Sequence, residues 1–251
     1  MEDAMSVADP ASARVGIDFV LVHGAWHGGW CWRRVADLLT ARGHRVFAPT
    51  LTGVGERSHL AERSIDLDTH VQDVLNLLKW EGLTDVVLVG HSYGGMVISA
   101  VADRAPDGVI GSIVYLDAFV PENGMSLLDY TTGEGREGGP MVEEGVRTGL
   151  VSPIPAEVFG VNRADRAWVD AQCTPHPYGT LTQKIQLTGA AGDRVARKTY
   201  ILATGYSGLA FSGFAAHLKQ DPAWRYHEID SGHDVMIDAP EQLAGILEDA
   251  A

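Results

Sequence analysis

Asp85-Val86-Val87-Leu88-Val89-Gly90-His91-Ser92-Tyr93-Gly94-Gly95-Met96 is the stretch that decides the fold. A short apolar run of strand length meets Gly90-His91-Ser92-Tyr93-Gly94, a G-x-S-x-G. Residues 96–104 then have a helical pattern, and Pro106 stops it. A serine between strand and helix sits in a turn so tight that its neighbours must be small, and glycines 90, 94 and 95 meet that need. Its hydroxyl projects from the carboxyl end of the strand, where the helix N-terminus favours developing negative charge. The bland alternative is a glycine-rich turn with an incidental serine. The strand–turn–helix context favours Ser92 as a nucleophile.

The rest of the chain repeats that alternation. Residues 15–22 read as a buried strand, 30–42 as a helix with Val35, Leu38 and Leu39 on one face, and 45–47 as a short strand. A helix capped by Asp66 or Asp68 carries Leu67, Val71, Val74, Leu75 and Leu78 on one stripe. Strands follow at 85–89 and 109–116. After a break the pattern resumes with a strand at 198–202, a helix at 211–219, a strand at 224–229 and a last helix beginning at Asp238 and Pro240. Strands alternating with helices predict a parallel sheet covered on both faces. Residues 122–197 lose the alternation and read as a lid, with short helices expected at 142–150, 155–161 and 164–173. The core is then 1–121 with 198–251. Residues 1–13 read as a flexible lead-in, and 131–139, rich in Gly and Glu, as mobile.

Composition narrows the function. The chain has 251 residues, 45% of them hydrophobic, which suits one α/β domain with an insertion. A net charge of −14 repels nucleic-acid phosphates and anionic membranes. No apolar run reaches membrane-spanning length, and the N-terminus lacks a signal-peptide pattern, so the expected compartment is the cytoplasm. Two cysteines, Cys31 and Cys173, make neither a disulfide framework nor a zinc signature and read as free thiols. Either a monomer or a homodimer fits.

A serine hydroxyl needs a general base. Of ten histidines, His233 is the best placed, in the loop Asp230-Ser231-Gly232-His233-Asp234 after the last strand. The acid is harder to find. The loop after the penultimate strand, residues 203–211, holds no carboxylate. One strand earlier, Tyr115-Leu116-Asp117-Ala118-Phe119 ends a strand in Asp117, which could hold His233 in the right tautomer. Asp117 could instead cap a turn or anchor the lid. Asp234 is a second candidate, expected to point elsewhere.

Acyl transfer also needs N–H donors for the oxyanion. Tyr93 supplies one. The loop His23-Gly24-Ala25-Trp26-His27-Gly28-Gly29-Trp30 should supply the other from Ala25. His23 and His27 have the H-x-x-x-H spacing of a zinc pair on a helix, but the glycines argue against a helix, so no metal is expected and His23 is read as ordering the loop. Gly24, Trp26, Phe119 and Val235 are the candidate substrate contacts, with Trp168 and Tyr178 as further candidates that could equally be packing.

These motifs resemble the small α/β-hydrolases. His23-Gly24-Ala25-Trp26-His27-Gly28-Gly29-Trp30-Cys31-Trp32 and Gly90-His91-Ser92-Tyr93-Gly94-Gly95 are similar to the branch of methyl-ester hydrolases and hydroxynitrile lyases. Tyr115-Leu116-Asp117-Ala118-Phe119-Val120-Pro121 and Gly232-His233-Asp234-Val235-Met236 are similar to its bacterial esterases, amidases and carbendazim-type carbamate hydrolases. The resemblance spans about residues 16–249. It implies an α/β-hydrolase fold, a mostly parallel sheet flanked by helices with a helical lid inserted after the sixth strand, and a Ser92–His233–Asp117 triad working without cofactor. The lyases carry Thr and Lys where this chain has Gly24 and Asp234, and an aspartate would repel departing cyanide. The reading is hydrolysis of a small-molecule ester, activated amide or carbamate. A binding or sensor protein on the same scaffold, and a lyase or carbon–carbon bond hydrolase, are the alternatives.

Overall fold

The computed structural model describes residues 16–131, 139–207 and 211–251. The expected lead-in at 1–13 lies outside these residues, as does most of the stretch expected to be mobile at 131–139. Six strands form one sheet: β1 (Asp18–Val22), β2 (Arg45–Phe47), β3 (Val86–His91), β4 (Ile110–Leu116), then, after a long excursion, β7 (Arg197–Ala203) and β8 (Trp224–Ile229). Their spatial order is β2-β1-β3-β4-β7-β8, and every pairing is parallel. β1 and β3 are buried at every residue, as expected where helices cover both faces.

The covering helices show why they form where they do. Helix α1 (Arg33–Ala41) follows a 3-10 turn, Gly29–Trp32, and buries Val35 and Leu39. Helix α2 (Leu67–Trp80) opens with a capping box in which Asp66 and Thr69 satisfy each other's backbone N–H groups. Helix α3 (Gly94–Arg104) is buried along nearly its whole length, consistent with its Gly-Gly-Met-Val-Ile-Ser-Ala-Val composition. The last helix (Pro240–Asp249) has Pro at its first position, where no N–H is needed.

The excursion runs from β4 to β7. It carries α4 (Leu127–Tyr130), α5 (Pro140–Thr148), α6 (Arg166–Gln172), α7 (Gly179–Thr182) and α8 (Ala190–Arg194), with a two-stranded antiparallel ribbon of β5 (Leu150–Val151) and β6 (His176–Pro177). Counted along the described chain, it follows the fourth strand of the sheet, where the sequence reading put it after a sixth. The helix expected at 155–161 is a pair of turns, with Val158 N–H on Pro155 O and Gly160 N–H on Glu157 O. Gly160 at φ +74° carries the chain out of helical conformation there.

From β1 the chain turns to β2 on one side, and from β3 to β4 on the other. The crevice between β1 and β3 at their carboxyl ends is therefore the topological switch point, where open α/β sheets bind ligands. Val22 pairs with Gly90 at that end, so the loop after β1 and the turn after β3 open into the same crevice.

Candidate active site

Ser92 follows directly on β3 at φ +54°, a left-handed conformation that an L-residue adopts at a cost of about 1–3 kcal/mol. The turn tolerates no larger neighbours. A Cβ on Gly90 would lie 2.7 Å from Gly94 O, and one on Gly94 would lie 2.8 Å from Val22 O. Phe119 N–H donates to Ser92 O and Ser92 N–H to Leu116 O, which hold the turn against the end of β4.

Asp117 leaves β4 at φ +41°, also left-handed. Its buried carboxylate reaches across to the neighbouring strand. Oδ1 accepts Ala203 N–H at 3.2 Å, at the end of β7, and Oδ2 accepts His233 Nδ1–H at 2.7 Å. An acid on β4 thus sits against the strand end whose own loop, within residues 203–207, has no carboxylate. His233 is 2% exposed and boxed by rings: Phe211 stacked at 5.2 Å, Phe159 at 5.3 Å, Tyr206 at 4.8 Å and His91 at 4.4 Å. Aromatic faces of this kind stabilise an imidazolium when one forms.

With Nδ1 committed to Asp117, Nε2 is left as the proton acceptor. No hydrogen bond joins it to Ser92 Oγ among the described residues. His91, the residue before Ser92, donates Nε2–H to the His233 backbone carbonyl at 3.0 Å and so ties the elbow to the loop of His233. Contacts between nucleophile and base are often loose without substrate and tighten on binding.

The loop after β1 is built by histidines. His23 Nδ1–H donates to Gly24 O at 2.8 Å, and His23 Nε2 accepts Leu51 N–H at 3.1 Å. The Gly24 carbonyl belongs to the peptide that carries Ala25 N–H, so His23 fixes the aim of that donor. Trp26, at φ +64°, donates its N–H to His176 Nδ1 and its indole N–H to Val151 O. Tyr93 donates its hydroxyl to His70 Nδ1 at 2.9 Å, and His70 Nε2–H donates to Thr52 O. Burial pushes His23 down to about 3 and His70 down to about 4, and holds His91 and His176 well below the usual imidazole range. Neither Ala25 N–H nor Tyr93 N–H has an acceptor among the described residues.

Ala25, Ser92 and Tyr93 share a cavity of about 60 Å³ with Trp26, Phe119, Leu127, Thr131, Met141, Ile154, Phe159 and Leu181. Among the described residues, no carboxylate, amine, guanidinium or imidazole lines it. Of the candidate substrate contacts, Trp26 and Phe119 line the cavity, and four others do not. Val235 is fully buried at the start of a short helix and is absent from the lining. Trp168 packs edge-on against Trp30 at 5.1 Å, and the Tyr178 ring fills the space over Gly145. Gly24 borders the nucleophile rather than the cavity, since a Cβ there would lie 3.0 Å from Ser92 Cβ.

Sequence reasoning missed Phe159, Met141, Ile154, Leu127 and Leu181, which have no motif. It also missed His70, His91 and His176 as parts of the site. Their one signal was that His91 occupies a variable position of the elbow motif.

His91, His233 and Asp234 bring three potential ligand atoms within 4.8 Å of one another. Each of these residues spends one atom elsewhere, His91 Nε2 on His233 O, His233 Nδ1 on Asp117 and Asp234 Oδ2 on His27. His23 and His27 lie in turn and loop, not on a helix. Cys31 and Cys173 are free. No helix among the described residues is long and apolar enough to cross a membrane.

Comparison with known proteins gives a consistent picture. A carbendazim hydrolyzing esterase from Nocardioides sp. (strain SG-4G) is 46% identical over 236 residues, covering 90% of this chain and 96% of that one. A pyrethroid hydrolase from Sphingobium wenxiniae is 39% identical over 127 residues, covering 49% of this chain and 44% of that one. An extracellular alpha/beta-hydrolase from a Paenibacillus species superposes with a TM-score of 0.81 at 24% identity, over 94% of this chain and 99% of that one, which shows a shared fold. Residues 19–246 match the profile of the alpha/beta hydrolase family, and the chain belongs to that family.

Proposed function

We propose that this chain is a serine hydrolase that cleaves small, uncharged carboxylic esters or carbamates through an acyl-enzyme on Ser92. One observation carries the reading. Ala25 and Tyr93, whose N–H groups have no acceptor among the described residues, line the same apolar cavity as a strained serine, and a histidine held by a buried carboxylate packs on Phe159 of its wall. The two relatives named as a carbendazim hydrolyzing esterase and a pyrethroid hydrolase support ester and carbamate chemistry.

In this reading Ser92 Oγ attacks the substrate carbonyl carbon and His233 Nε2 takes the hydroxyl proton. Asp117 keeps the imidazole in that tautomer and stabilises the imidazolium. The oxyanion accepts Ala25 N–H and Tyr93 N–H, a kind of contact worth about 10²–10³ in turnover per donor. His233 then protonates the departing alcohol, and a water activated by the same imidazole releases the acyl group. A cavity whose described walls carry no charged side chain favours neutral substrates, since a charge there would lose its hydration unpaired. Segment 122–197, which supplies most of the cavity's apolar wall, is the lid in this account.

The test is a serine-directed phosphonate together with a panel of aryl esters, methyl esters and methyl carbamates, using Ser92→Ala as control. Stoichiometric labelling of Ser92 and turnover lost in Ser92→Ala are expected. A folded protein that neither labels nor turns over any member of the panel overturns the proposal.

A further inference from the structure

Besides His233, five buried histidines lie at or around the elbow, and His27 differs from the other four in what faces its two ring nitrogens. His23, His70 and His176 each have one partner that donates and one that accepts. Leu51 N–H, Tyr93 O–H and Trp26 N–H donate to them, while Gly24 O, Thr52 O and Thr180 Oγ1 accept from them. One ring proton satisfies such a pair, so each is a neutral imidazole. His91 donates from Nε2 and leaves Nδ1 without a partner, again the neutral form. His27 faces two groups that only accept: Ala25 O lies 2.8 Å from Nδ1, and Asp234 Oδ2 lies 3.1 Å from Nε2. Both nitrogens must then carry protons, which only the imidazolium does.

We propose that His27 is a charged positioning residue, a buried imidazolium that locks the oxyanion loop to the loop of the general base. Its two hydrogen bonds run to the backbone of Ala25 and to the side chain of the residue that follows His233. A shift in either loop would break one of them. The positioning role rests on the hydrolase reading above, whereas the charge state does not depend on it.

The surroundings agree. Asp234 is wholly buried. Its other oxygen has no hydrogen bond and lies 3.9 Å from His91 Nε2, so its charge is answered chiefly by His27. The remaining neighbours of His27 are His91 at 6.1 Å, the stacked Trp30 ring and Phe159. His91, with His23 and His176 further off, is neutral in this network. Burial disfavours the charged ring, yet the Asp234 charge and hydrogen bond outweigh it and hold His27 above the ordinary imidazole value. Asp234 is pushed up by burial and pulled further down by His27, ending well below the usual carboxylate range. The competing arrangement is a neutral pair with the proton on Asp234 Oδ2 donated to His27 Nε2.

Nitrogen-15 histidine spectroscopy of the full chain at pH 8.5 separates the two. One ring bearing both N–H protons is expected, absent in His27→Gln and reduced to a single ring N–H in Asp234→Asn. Phosphonate labelling of Ser92 in the wild type tests the hydrolase reading separately. Where it succeeds, folded Asp234→Asn should lose about 10- to 100-fold in kcat with KM changed little, the signature of misaimed groups rather than lost binding. A single ring N–H on His27 in the wild type overturns the charge assignment, even if Asp234→Asn does not fold. Unchanged kcat in folded Asp234→Asn and His27→Gln overturns the positioning role.

Discussion

Acidification should strip stability from this fold in a window that its carboxylates do not govern. His23 and His70 are buried without charge, at about 3 and about 4 against 6.5 for a free imidazole. Burial is the main cause in both. Protonating either would also destroy the hydrogen bond it accepts, from Leu51 N–H or from Tyr93 O–H. The folded-state value is depressed, so between 6.5 and about 4 the unfolded chain binds protons that the folded chain refuses. The stability is fully present above 6.5 and is lost as pH falls. At about 1.36 kcal/mol per pH unit, the drop from 6.5 to pH 5 removes about 2 kcal/mol for each residue and about 4 kcal/mol for the two. His91 and His176 are displaced in the same direction by burial. His27 is displaced upward, so its contribution is present below 6.5 and is lost only on the alkaline side. A loss of about 4 kcal/mol is a large part of the 5–15 kcal/mol of an ordinary domain. Urea unfolding at pH 7, 6 and 5 reads it directly. His70→Gln provides the differential, because an amide can keep both contacts without titrating, and its slope should be shallower by about 1.4 kcal/mol per unit. Stability flat within about 1 kcal/mol from pH 7 to 5, or an undiminished slope in His70→Gln, would refute the assignment of neutral buried imidazoles.

Three other outcomes are expected. Asp117→Asn turns an acceptor of His233 Nδ1–H into a group that can donate to it, favouring the wrong tautomer, and turnover of an aryl ester should fall about 10³- to 10⁴-fold in a folded protein. Ser92→Gly removes the left-handed strain at φ +54° and should raise the urea-derived stability by about 1 kcal/mol while abolishing activity, and a less stable variant would argue against strain at the elbow. Gly24→Ala puts a Cβ 3.0 Å from both Ser92 Cβ and His91 Nδ1, and steady-state kinetics should show kcat down about tenfold or more from a displaced oxyanion loop.

What was legible in the sequence was whatever depends on neighbours along the chain or on strand order. The elbow is local, and its glycines are demanded by contacts of 2.7–2.8 Å to nearby backbone. Asp117 was readable because it ends a strand, and the parallel pairing of Leu116 with Ile201 then places it against the end of β7. The geometry of segment 122–197 was not readable, because it depends on distant partners. Residues 155–161 look helical in composition, yet Phe159 O accepts His233 N–H and Gly160 O lies where a side chain on Gly232 would stand. Val235 was misjudged for the same reason. Adjacency to His233 suggested a substrate contact, but a short helix turns its side chain into the core. Protonation states were illegible altogether, since His23 and His27 share a loop and equal burial yet differ in what faces their ring nitrogens.

That difference shows how the site is held ready. Left-handed backbone falls on four non-glycine residues among those described, and three of them are Trp26 in the proposed oxyanion loop, the proposed nucleophile Ser92 and its proposed acid Asp117. Each is fixed by partners from another part of the chain. Trp26 is bonded to His176 and Val151 of the lid, Ser92 to the end of β4 and to Phe119, and Asp117 to β7 and His233. Strain of this sort persists only where surrounding contacts over-determine it. Groups so fixed need little reorganisation when charge develops on a substrate oxygen, which is where electrostatic catalysis gains most. In the proposed hydrolase, segment 122–197 is therefore part of the catalytic frame as well as a cover. Its His176 holds the oxyanion loop from one side, and the Phe159 carbonyl holds the loop of the general base from the other.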